Sequence, residues 1–71
     1  MLRNDMERLC KLVAQYSHLK CPKGGNYAFE AGYKDSLLCR MVDIPAAELP
    51  GWIRSEIAYM ERQISVMEVF A

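Results

Sequence analysis

The residues of this chain with the most reactive chemistry are Cys10, Cys21, Cys39 and the single histidine, His18. His18 and Cys21 stand three apart, a spacing that brings side chains together across one helical turn. A catalytic thiolate needs positive potential, but both residues fall where a helix from about residue 3 to 20 would be ending. The negative end of the helix dipole opposes the thiolate there. No carboxylate is placed nearby to orient the imidazole, so the sequence argues against nucleophilic catalysis and for a protein that is not an enzyme. A Cys₃His zinc site requires ligands paired at short spacing, and only His18 and Cys21 have it. Cys10 lies about two helical turns before His18, on the order of 12 Å away along the axis. Three small apolar side chains is the better reading of the cysteines. Neither a metal nor a cofactor is expected.

Cys21-Pro22-Lys23-Gly24-Gly25-Asn26 is the strongest loop signal. Adjacent glycines let backbone N–H groups converge on an anion, and Lys23 adds charge. Tyr27, Phe29 and Tyr33 follow and can stack on a base. Lys23, Gly24, Gly25, Asn26, Tyr27, Phe29 and Tyr33 therefore form a candidate site for a nucleotide or small anionic ligand. The spacing matches neither a P-loop nor a dinucleotide fingerprint, so the signal is weak, and the alternative is an ordinary helix-to-strand turn that needs glycine for its backbone.

Two long amphipathic segments must position these residues. Leu2, Met6, Leu9, Val13 and Tyr16 are spaced 4, 3, 4, 3, and predict a helix over about 3–20. Leu12 and Leu19 widen its stripe, so it faces more than one neighbour. Ile53, Ile57, Met60, Ile64, Met67 and Ala71 continue a 4, 3, 4, 3, 4 pattern and predict a second helix over about 50–70, with Pro50 at its first position. That helix would be roughly 30 Å long. Between them, Tyr27 to Ala31 alternate, Gly32 and Lys34-Asp35-Ser36 read as a turn, and Leu37–Val42 reads as a return strand or, by periodicity alone, a short helix. The expectation is a β-hairpin over about 26–42, then a connector over 43–49 with a helical turn after Pro45. The fold class is thus α+β, mainly α: an antiparallel pair of long helices joined by a hairpin, in one domain spanning 1–71.

The 71 residues are 52% hydrophobic with a formal net charge of zero. Residues 1–40 carry seven Lys/Arg against four Asp/Glu, whereas residues 41–71 carry two against five. This asymmetry suits two halves that pack on each other better than a nucleic-acid binder, which normally has a real basic excess. A weak nucleic-acid contact through the basic edge of Arg3, Arg8 and Lys11 is the remaining version of that idea. No apolar run is long enough to cross a membrane. The N-terminus does not read as a secretory signal, and an odd cysteine count suits a reducing, cytoplasmic compartment.

So short a chain buries a limited core, yet both helices carry apolar residues beyond one seam. Trp52, Ile53, Ile57, Met60, Ile64, Met67 and Phe70 are the candidate surface for self-association or a protein partner, with a homodimer as the expected assembly. The function expected is stoichiometric binding of another macromolecule by an inhibitor, adaptor or regulator. Small accessory proteins of phages and mobile elements often have this size and makeup.

Overall fold

In a computed structural model, which describes residues 2–70, the chain forms three helices: α1 (Leu2–Lys20), α2 (Asn26–Met41) and α3 (Leu49–Val69). No strand occurs among the described residues. The fold is all-α, and the expected hairpin over 26–42 is replaced by α2. The alternation over five residues misled because it is short. Across the whole segment Phe29, Tyr33, Leu37 and Met41 recur every fourth position, which makes one face of a helix. Gly32 lies inside that helix rather than at a turn, with open space where a Cβ would point. Glu30 and Lys34, also four apart, lock side by side at 2.6 Å.

The loop before α2 is where its glycines are required. Gly24 and Gly25 have φ of 121° and 82°, values that side chains with a Cβ rarely adopt. Gly25 is the residue from which α2 starts, its carbonyl accepting from the Phe29 N–H at 3.1 Å. A turn after Pro45 then leads into α3, with the Glu48 and Leu49 amides donating to the Pro45 carbonyl at 2.9 and 3.1 Å. Pro50 sits in the first turn of α3, where its missing N–H costs nothing.

Replacing the hairpin by a 16-residue helix also reverses the expected orientation of the long helices. α2 is about 24 Å long and carries the chain back along α1. α3 therefore begins beside the start of α1 and runs parallel to it. Side-chain pairs record the register: Asp5 meets Arg54 at 3.4 Å, Arg8 meets Glu61 at 2.9 Å, and Leu19 shares a hollow with Met67. The long helices are a parallel pair, not the antiparallel one expected.

The wide apolar stripe of α1 lets it pack against both other helices. Leu9, Leu12 and Val13 from α1 close a core with Leu37 from α2 and Ile53, Met60 and Ile64 from α3. Ser17 is also fully buried, its hydroxyl donating to the Val13 carbonyl at 2.7 Å, which satisfies it without a distant partner. Tyr16, Phe29 and Tyr33 pack in tilted and edge-to-face contacts, with ring centroids 5.9 to 6.3 Å apart. The charge asymmetry is used internally: Arg8 and Arg40 of the basic half pair with Glu61 and Glu56 of the acidic half. No described helix is long and apolar enough to cross a membrane.

Candidate functional site

The structure divides the loop site in two. Lys23, Gly24, Gly25 and Tyr27 are exposed at one end of the molecule, Tyr27 by 83%. Asn26 opens α2. Phe29 and Tyr33 turn the other way and pack on Tyr16, because a helix sends residues 27 and 29 to different faces. Burial, and secondarily the nearby Glu56 carboxylate, pushes the Tyr33 phenol up from its usual range. The aromatic platform expected for a base is therefore half-buried against Tyr16 of α1, and Tyr27 is the exposed aromatic beside the loop.

The α3 seam is likewise committed within the chain. Ile53, Met60 and Ile64 are buried against α1, and Trp52, Ile57 and Met67 are half-buried. Trp52 lies under the Arg40 guanidinium, 5.5 Å from ring centroid to carbon. The same guanidinium places Nη2 2.7 Å from Oε1 of Glu56. That oxygen is buried and accepts no aligned hydrogen bond, so charge attraction rather than hydrogen bonding compensates its desolvation. Of the seven seam residues only Phe70 is widely exposed, at 83%.

Apolar surface remains open at several places among the described residues, one of them a shallow hollow along Leu2, Met6 and Cys10 of α1, and two are the more extensive. The first is at the carboxyl-terminal ends of α1 and α3, which the parallel arrangement brings together. His18, Leu19, Pro22, Met67 and Phe70 line a hollow of about 620 Å³ there; Val66, which borders a separate hollow with Ala58 and Arg62, and Val69 are exposed on the last turns of the same helix.

The second surface is the outward side of α2, which the sequence reading missed. Tyr27, Ala28, Ala31, Gly32, Leu38, Cys39 and Val42 are exposed there, with Asp35 as the charge among them. Where this face meets α1, Met6, Cys10, Leu38 and Met41 wall a narrow cleft of about 110 Å³, floored by Leu9, Val13 and Leu37, with Lys34 at its edge. Its signal in the sequence is the four-residue spacing of Phe29, Tyr33, Leu37 and Met41. Once these point inward, the residues left outside are apolar or small.

Cys10 and Cys39 are exposed and Cys21 half-buried, all as free thiols. His18 is exposed on the last turn of α1. Among the described residues no group of three or more His, Cys, Asp or Glu side chains is gathered as metal ligands would be. The hydrogen bond from Lys34 to Glu30 holds the ammonium pKa above its ordinary value. No protein-family model matches the chain, and no curated protein or solved structure is significantly similar to it.

Proposed function

We propose that this chain is a non-enzymatic binding protein that acts stoichiometrically on another protein, as an inhibitor, adaptor or regulator. The observation that carries the reading is the apolar hollow at the shared end of α1 and α3. Leu19, Met67 and Phe70 converge there because the long helices run parallel. Val66, Val69 and Phe70 are 52, 77 and 83% exposed. Contiguous apolar surface of this kind on a small protein marks an interaction site. An apolar side chain of the partner enters the hollow, and the Val66 and Val69 flank covers its backbone.

The loop reading loses support because Phe29 and Tyr33 are turned inward. The nucleic-acid reading loses support because two of the three cations of its basic edge, Arg3 and Arg8, are paired with Glu7 and Glu61, which leaves Lys11.

Affinity capture by the tagged chain, with quantitation of what it retains, tests the proposal. The wild type is expected to retain one protein in near-equimolar ratio, and Phe70→Asp to lose it while keeping its helical circular dichroism. Equal recovery by both chains would show that the hollow is not the working surface.

A further inference from the structure

α2 is the least firmly held of the three helices, and the reason begins in its sequence. Gly32, Asp35 and Ser36 lie inside it, and each is a weaker helix former than alanine, glycine most of all. Its start has no side-chain cap and no acidic residue in the first turn. A helix of 16 residues with these features depends on tertiary packing, and that packing is thin. Leu37 is the residue α2 buries, whereas α1 buries Leu9, Leu12, Val13 and Ser17 and α3 buries Ile53, Met60 and Ile64. α2 lies mainly on α1 and meets α3 at few points. At one of these Arg40 reaches across, with its guanidinium 2.7 Å from Glu56 and 5.5 Å from the Trp52 ring centroid. The segments flanking α2 are open: Gly24 and Gly25 are exposed with nothing near the place of a Cβ, and Asp43 and Pro45 to Ala47 are exposed at the other end. α1 and α3 are joined without α2, by the larger of the two helix contacts and by the Asp5–Arg54 and Arg8–Glu61 pairs.

We propose that α2 is a strap that opens as a unit, turning on Gly24-Gly25 and on the 43–47 connector, while α1 and α3 stay packed, and that Arg40 is its latch. Native proteins open first where few apolar groups are buried, and they do so in units that coincide with whole elements. Opening uncovers the side of α1 beneath α2. Met6, Leu9, Cys10 and Val13 line the narrow cleft between the two helices in the closed form, and they become a groove along α1 once α2 is lifted. Arg40 gains its carboxylate and its aromatic ring only on closure, so it acts on the closed form alone. The strap is a property of the single chain and does not rest on the partner-binding reading.

Native-state hydrogen exchange of the full chain, read residue by residue and corrected for intrinsic rates, tests the strap. In the wild type the interior amides of α2 are expected to exchange about tenfold faster, or more, than those of α1 and α3. Ile64→Val weakens the contact between α1 and α3, which persists when α2 opens. It is expected to speed exchange in α1 and α3 by about three- to tenfold and to leave α2 unchanged. Arg40→Ala removes a contact that exists only in the closed form and is expected to speed exchange in α2 about tenfold. Equal protection of the three helices in the wild type overturns the proposal. Acceleration of all three helices alike by Ile64→Val shows a single cooperative unit and overturns it too, and unchanged α2 exchange in Arg40→Ala contradicts the latch.

Discussion

α3 and α2 each turn one apolar face inward, but they treat their outward faces differently. α3 buries Ile53, Met60 and Ile64 and shows water a mixed face, on which Arg54, Ser55, Glu61, Arg62, Ser65 and Glu68 surround Ala58, Tyr59 and Val66. α2 buries Leu37 and half-buries Phe29, Tyr33 and Met41, yet shows water Tyr27, Ala28, Ala31, Gly32 and Leu38, with Val42 just beyond its end and Asp35, Ser36 and Arg40 as the polar residues among them. The contrast separates two kinds of apolar residue: those that hold the chain together, concentrated in α3, and those left open to water, concentrated on α2 and at the end of α3.

The comparison predicts a graded set of mutational effects. Met60 is fully buried on the inner face of α3, and Met60→Ala is expected to cost about 2–5 kcal/mol in urea denaturation. That is enough to unfold much of so small a domain. Arg40→Ala strands the buried Glu56 oxygen and uncovers Trp52, with an expected loss of about 1–2 kcal/mol. Gly25→Ala meets no steric obstacle and loses only through its left-handed backbone, about 1 kcal/mol. Leu38→Glu, on the outer face of α2, is expected to change the stability of the isolated chain by under about 0.5 kcal/mol. A large loss from Leu38→Glu in dilute solution would erase the distinction between the two helices.

The smallest effect is on pH dependence. Burial raises the Tyr33 pKa, so above about pH 10 the unfolded chain ionises first and stability falls. The raised Lys34 pKa acts in the same direction: its contribution is complete below the lysine range of about 10.4 and is lost as pH rises through the folded value. Urea midpoints are therefore expected to be insensitive to these two groups near neutrality and to drop above pH 10, less steeply in Tyr33→Phe. An unchanged alkaline limb in that variant would place the Tyr33 phenol in water.

The long helices were legible because their apolar residues repeat against a charged background. The stripes beginning at Leu2 and Ile53 gave α1 and α3 to within a residue or so at each end, and Leu12 and Leu19 correctly announced a second neighbour for α1. α2 was hidden by the same property that makes it interesting. With apolar or small residues on both sides, its helical period has little contrast, and five alternating residues outweighed sixteen periodic ones. Everything decided by α2 was lost with it: the parallel pairing of α1 and α3, the inward turn of Phe29 and Tyr33, and the open face itself. The glycine pair was read either as an anion-binding loop or as a turn that needs glycine, and the positive φ of both residues meets the backbone requirement of the second reading without deciding the first. Met67 was singled out for its place on the seam and Phe70 for extending the apolar surface beyond it, and the shared end of α1 and α3 brings the two together in one hollow.

The most direct test of the contrast between α2 and α3 is residue-resolved hydrogen exchange of the wild type under conditions where the chain is folded. The account predicts that the interior amides of α2 exchange about tenfold faster, or more, than those of α3. Equal protection of the two helices would contradict it.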